Sequence, residues 1–197
     1  MSAAAITAHL ASRAGVSIRQ LLWIEARARD GGAPLPLGLW TGAEDETFTV
    51  EGELRHYLGA GGIVAIDPIR SRAGFAVQMQ RIVLSGVAPE VADALRARDI
   101  RLAAVEIDEL FRDPVTGADI GIERVFEGHV DRAPTDAGGA GGELHQTITA
   151  ASAARTMTRG LTVLRSDANQ RRRDPGDGFF KYAAAGKVRV WWGQKRP

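Results

Sequence analysis

The sequence contains no cysteine. That absence excludes disulfides, thiolate metal sites and cysteine nucleophiles together, and it ties the chain to no redox compartment. Aromatic residues are sparse, at 6%. No apolar run reaches the ~18 residues of a membrane-spanning helix. The stretch from Ala3 to Ala14 is broken by His9, Ser12 and Arg13, unlike the apolar region of a signal peptide. These absences describe a soluble protein made in a cytoplasm, with no membrane segment.

What remains is the composition of a folded chain. Of 197 residues, 45% are hydrophobic and 25% charged. That supplies a core for one domain or two small ones, and the 23 glycines suit a turn-rich β protein. The net charge of +1 is unevenly spread. Arg155 to Pro197 holds eleven Lys/Arg against three Asp/Glu, so this end carries +8 and residues 1–154 carry −7. Such asymmetry points to a basic contact surface near the C-terminus and an acidic remainder.

Periodicity supplies the elements. Ser2 to Gly15 reads as a short helix, with Ser2 as N-cap and Gly15 as C-cap. From Ser17 the period becomes two, giving a long strand up to the turn at Asp30. Ile18, Leu22, Ile24 and Ala26 lie on one face and Arg19, Glu25, Arg27 and Arg29 on the other, with Leu21 and Trp23 breaking the rule. Leu35–Thr41, Thr47–Val50, Leu54–Leu58, Ile63–Ile69 and Phe75–Leu84 read as further strands. Pro89 to Arg98 reads as a helix, because Pro89 suits a first turn and Val91, Ala94 and Leu95 form a stripe. Asp99–Phe111 and Ile120–Asp131 form a hairpin across the turn Asp113-Pro114-Val115-Thr116-Gly117. Thr135–Gly142 is a glycine loop, and Glu143–Ala151 alternates again. Ala151–Arg159 suits either a helix or a continued strand. Ser166–Asp177 is polar and basic, Asp177–Ala185 a short helix, and Val188–Trp192 a short strand.

The expected class is therefore mainly β: tandem small antiparallel β-barrel or sandwich units with a few short helices, one N-terminal and one central near 89–98. The expected divisions are an N-terminal helical arm (1–16), a first β unit (17–88), a second β unit with the central helix (89–165) and a basic aromatic segment (166–197).

A search for chemistry returns no catalytic constellation. The histidines are His9, His56, His129 and His145, and no HExxH or GxSxG occurs. His129 and His145 would form a metal site with Asp131 only if they met across strands; ordinary sheet-surface histidines are the simpler reading. The runs Glu44-Asp45-Glu46 and Glu106, Asp108, Glu109 are contiguous, whereas acid–base catalysis needs carboxylates in different environments across a cleft. Glu106 and Asp108 do share one strand face, which leaves an interface or cation role open. The glycine-rich Gly59–Gly62 and Gly138–Gly142 lack the GK[ST] of a phosphate loop and read as hairpin loops, the second as an interaction loop. No catalytic residue, cofactor or metal is expected, and the chain is read as a non-enzyme.

The basic end is the most informative region. Arg165, Arg171, Arg172 and Arg173 lie near Phe179, Phe180, Trp191 and Trp192, with Lys181, Tyr182, Lys187 and Arg189 among them. Three readings fit. The segment is a protein interface anchored by Arg and aromatics, a single-stranded nucleic-acid site using charge and stacking, or an aromatic closure of the core with arginines in solvent.

Several motifs run in a recognisable order. They are Leu21-Leu22-Trp23-Ile24, Leu37-Gly38-Leu39-Trp40-Thr41-Gly42 with Thr47-Phe48-Thr49, and Gln80-Arg81-Ile82-Val83-Leu84-Ser85. Pro89 to Arg98, Val105-Glu106-Ile107, Phe126-Glu127-Gly128 with Asp131, and Ala151-Ser152-Ala153-Ala154-Arg155 follow. The last are Arg165-Ser166-Asp167 to Gln170-Arg171, Pro175-Gly176-Asp177 with Phe179-Phe180, and Trp191-Trp192-Gly193. In these the chain resembles the tail-tip baseplate hub proteins of alphaproteobacterial siphophages, prophages and gene transfer agents, from about Leu21 to Gly193.

The resemblance implies a virion structural protein at the tail tip, assembled in the bacterial host cytoplasm. It implies a β-rich hub ring below the distal tail ring, built as a trimer with a hub domain pair per chain. The partners it implies are further copies of the chain, the distal tail protein, a central tail-fibre or host-contact protein, and DNA passing through the lumen without sequence-specific binding. The acidic first 154 residues suit such a lumen, since clustered cations would hold phosphate. Longer hub proteins carry a cysteine-rich C-terminal part that can hold an iron–sulfur cluster; with no cysteine here, no cluster is carried over, and the likeness is to the hub's tube-like portion. The competing function is a nucleic-acid-binding β-barrel module that uses the C-terminal Arg/aromatic segment.

Overall fold

The two longest strands implied by the sequence pattern lie side by side in one large sheet. The computed structural model describes residues 3–59, 61–70, 76–85, 93, 95–133, 135–136, 145–158 and 166–182. The chain divides between residues 157 and 158 into two units.

The first unit opens with helix α1 (Ala3–Ala11) and continues through twelve strands. These are β1 (Ser17–Ile24), β2 (Arg27–Ala28), β3 (Leu37–Trp40), β4 (Glu46–Val50), β5 (Glu53–Tyr57) and β6 (Ile63–Ile66), followed by β7 (Met79–Ser85), β8 (Arg98–Asp99), β9 (Ala104–Arg112), β10 (Asp119–Arg132), β11 (Thr135–Asp136) and β12 (His145–Ser152). A helical turn, Arg155–Thr158, follows. Eight strands form one sheet in the order β3-β1-β9-β10-β12-β7-β6, with β11 paired to β12 beside that path. Every pairing in it is antiparallel. β2 pairs with β8, and β4 with β5.

The mainly β, antiparallel class with a few short helices holds. Among the described residues the sheet does not close into a barrel, because no ladder joins its ends, β3 and β6. Both ends nevertheless feed one cluster: Leu37 and Leu39 from β3, and Ile63 from β6, pack with Leu22, Val105, Ile107, Ile82, Leu84 and Ile148. The sheet therefore curls around this cluster. The outer edge of β3 is covered by Leu58, whose N–H donates to Gly38 O at 3.0 Å and whose carbonyl accepts from Trp40 N at 3.0 Å.

The central strands are buried on both faces, which explains why Leu21 and Trp23 break the alternation of β1. Leu22 and Ile24 lie opposite Ile107 and Val105 on the large-core face. Leu21 and Trp23 lie opposite Asp108 and Glu106 on the other. There a second cluster gathers Leu21, Trp40, Phe48, Val50, Tyr57 and Leu110. The β4–β5 hairpin covers it. Its turn is Glu51-Gly52, with φ of 50° and 88°, the two positive values that a two-residue turn of type I′ requires. Trp40 meets Phe48 edge-on with ring centres 5.1 Å apart, a geometry contributing about 0.5–1.5 kcal/mol beyond burial.

A bulge sets the phase of β10. Arg124 pairs with Asp108, but Phe126 pairs with Ile107. The register slips by one residue between them, so two positions of the same parity serve opposite faces.

Several local expectations shift. β7 begins at Met79, since residues 76–78 lack regular structure, and Phe75 lies outside the described residues. Of the helix expected near 89–98, residues 93 and 95–97 are helical and Arg98–Asp99 is strand β8; 89–92 and 94 lie outside the described residues. In the second unit, the polar stretch after Ser166 is a helix, Asp167–Arg173. Ser166 caps it by accepting from Asn169 N, Asp167 sits in its first turn, and Arg171 to Arg173 sit in its last. The helix expected from Asp177 instead forms turns through Tyr182. Asp177 Oδ1 accepts from Phe179 N at 2.9 Å, a side-chain turn that competes with helix formation.

Candidate functional site

Two groups of polar residues stand out, one in each unit. The first lies under the β4–β5 hairpin. The alternation of β5 turns Arg55 and Tyr57 inward and leaves Leu54 and His56 outside. Arg55 then meets the carboxylates of β9: its Nη1 donates to Glu106 Oε2 at 2.5 Å, and its guanidinium lies 4.9 Å from the Trp23 ring centre. Arg124 of β10 arrives from the side. Its Nη2 donates to the same Glu106 oxygen at 2.8 Å, its Nε to Asp108 Oδ1 at 2.9 Å, and its Nη1 to Glu51 Oε2 at 3.3 Å.

This network is buried. The Arg55 side chain is 7% exposed and that of Asp108 2%. Burial pushes the Asp108 carboxyl above the usual carboxylate range, against the opposing pull of Arg124. Burial, followed by the negative charge of Asp108, pushes Tyr57 up to about 12, while Arg55 draws it the other way. Burial is the largest influence on Arg55 and disfavours its charge, yet the hydrogen bond and negative charge of Glu106, with Tyr57, together outweigh it and the net shift is upward. Two arginines thus neutralise Glu106 and Asp108 inside the fold.

The cation role left open for Glu106 and Asp108 is filled by these arginines. Arg55 and Arg124 carry no motif, and only the strand phase of β5 and the bulge of β10 bring them inward. A second clamp stands nearby. Arg112 donates to Asp119 Oδ1 at 2.6 Å and Glu46 Oε1 at 3.0 Å, with its guanidinium 5.7 Å from the Trp40 ring centre.

The histidine arrangement does not assemble. His129 pairs with Ala151 of β12, whereas His145 sits six residues earlier in that strand, opposite Ser85. At the rise of a strand this separates them by roughly 20 Å. Asp131 is held by Arg155 at 2.5 Å. Among the described residues no group of three His, Asp or Glu side chains is placed to hold a metal, and no helix is long and apolar enough to cross a membrane.

The second group is the basic aromatic segment. Arg171, Arg172 and Arg173 are exposed on the short helix, with Arg171 Nε 2.9 Å from Asp167 Oδ2. Gln170 Nε2 donates to Asp177 Oδ2 at 2.5 Å, joining the helix to the turn beyond it. Phe179 and Phe180 meet edge-on at 5.0 Å, and Lys181 Nζ lies 5.6 Å from the Tyr182 ring centre. Phe179 is 82% exposed and Tyr182 74%. Of the residues expected at an interface, the structure thus brings Arg171, Arg172, Arg173, Phe179 and Phe180 into one short segment. Arg165, Trp191 and Trp192 lie outside the described residues.

No protein-family model matches the chain, and no curated protein does. Among solved structures, the fold is similar to that of a chain in the virion of a native gene transfer agent (GTA) particle. The two share 18% identity with a TM-score of 0.51, over 82% of this chain and 49% of the other. This chain thus spans about half the length of the protein it matches.

Proposed function

We propose that the protein is a structural, non-enzymatic component of a phage or gene-transfer-agent tail tip, placed as a baseplate hub ring below the distal tail ring. In this reading it lines the DNA channel and connects neighbouring tail proteins. The observation that carries it is the fold shared with a GTA virion chain over 82% of this chain. Three features agree with it. The carboxylates under the hairpin, Glu106 and Asp108, are bound by arginines, so they serve packing rather than turnover. The exposed Phe179 and Tyr182 beside Arg171 to Arg173 have the make-up of a contact surface. The acidic balance of residues 1–154 suits a channel through which DNA slides.

The test is mass spectrometry of density-purified particles from a cell carrying the gene. The chain is expected among the particle proteins in fixed proportion to other tail components. Its absence from intact particles would overturn the reading.

The same exposed segment favours one alternative, a nucleic-acid-binding module. It predicts that the soluble protein binds single-stranded oligonucleotides, that salt weakens the binding steeply, and that Arg171→Ala weakens it further. Binding indifferent to salt would remove that alternative.

A further inference from the structure

We propose that the β4–β5 hairpin of one copy is the docking surface for the basic aromatic segment of a second copy. The inference rests on the reading of the chain as an assembly protein, and it names the partner of that segment. Exposed carboxylates lie at both ends of the hairpin, just before β4 and around its turn, and Leu54 and His56 occupy the outward face of β5 between them. Glu44, Asp45, Glu51 and Glu53 are exposed, and Arg55, the one Lys or Arg between residues 44 and 57, is turned inward. The side chains of Glu51 and Glu53 are 65% and 75% exposed despite their contacts with Arg124 and Arg55. Amid these carboxylates Leu54 is 77% exposed, a large apolar side chain on a surface otherwise polar.

The basic segment has the complementary composition. Phe179 and Tyr182 are exposed apolar anchors, and Arg172, Arg173 and Lys181 are exposed cations around them. An apolar contact ringed by opposite charges is the usual anatomy of a specific interface. The chain carries both halves, with +8 beyond residue 154 and −7 before it. A second copy therefore offers the matching surface without any other protein. Because the two surfaces differ, the contact is heterologous, and it builds a ring if the rotation closes.

The experiment uses the full chain in low salt, followed by sedimentation velocity over a wide concentration range. Glu44→Lys/Glu53→Lys reverses the hairpin, and Arg172→Glu/Lys181→Glu reverses the basic segment. All four positions are exposed, and circular dichroism verifies that both variants fold. Wild type is expected to self-associate, and each variant alone to do so roughly tenfold more weakly. An equal mixture of the two variants is expected to regain association, since each then offers the other's complement. Asp30→Lys/Glu127→Lys changes the net charge equally, away from the hairpin, and is expected to behave as wild type.

A monomeric wild type would overturn the proposal. So would a mixture no stronger than its parts, or loss of association in the Asp30/Glu127 control. Salt-sensitive oligonucleotide binding without self-association would assign the segment to nucleic acid instead. A chain found in particles whose copies ignore these charge reversals would sink this contact alone. A chain absent from particles whose copies follow them would sink the tail-tip reading alone.

Discussion

Arg55 Nη1 and Glu106 Oε2 stand 2.5 Å apart, and this pair ties the β4–β5 hairpin to the middle of the main sheet. Glu106 also receives Arg124, so it keeps one cation if Arg55 is lost. Among the described residues Arg124 is the one side chain that hydrogen-bonds the Asp108 carboxylate, and Asp108 is 1% exposed. Arg124→Ala should therefore cost more than Arg55→Ala: about 4 kcal/mol against about 2–3 kcal/mol, since a buried charge stripped of its partner is the larger penalty. Urea unfolding of the two variants measures the order, and equal losses would contradict it.

Tyr57 gives a signal in solution. Its hydroxyl ionises near 10.0 when unfolded and at about 12 when folded. The stability linked to the neutral phenol is complete below pH 10.0 and is lost as pH rises through about 12. Ultraviolet titration of the chain's 2 tyrosines should show a late step that disappears in Tyr57→Phe. A titration of Tyr57→Phe identical in its late step to wild type would contradict the burial of this ring.

Gly128 and Gly38 are each fixed by close approach of backbone. A Cβ on Gly128 would meet Ala151 O at 2.2 Å, and one on Gly38 would meet His56 O at 2.3 Å. Gly128→Ala should push β10 from β12, and Gly38→Ala should push the β5 end from β3, each costing about 1–3 kcal/mol. Gly31→Ala meets nothing within 4 Å and should leave the melting temperature near wild type. Thermal unfolding of the three variants compares them directly.

Much of the sheet was legible because its strands obey local rules. The alternation of β1, the turn at Asp113 to Gly117 and the hairpin of β9 with β10 follow from period and turn chemistry. The charged network was half legible. Glu106 and Asp108 share a strand face by simple alternation, but their partners come from sequence positions far away. Arg124 reaches that face only because a bulge shifts the register before Phe126, and nothing in the local sequence marks that slip. The helix at Asp167–Arg173 was hidden by its polarity: it has no apolar stripe, and none of its residues is buried. Its signals are the Ser166 cap and the order of acidic before basic residues, which are weaker than periodicity. Metal binding by His129 and His145 depended on strand register, which the sequence leaves open.

The most direct test of the central claim is position. An antibody against this chain, with gold label, should mark intact particles at the far end of the tail and nowhere else. Label along the whole tail, on the head, or on no particle would contradict a tail-tip hub.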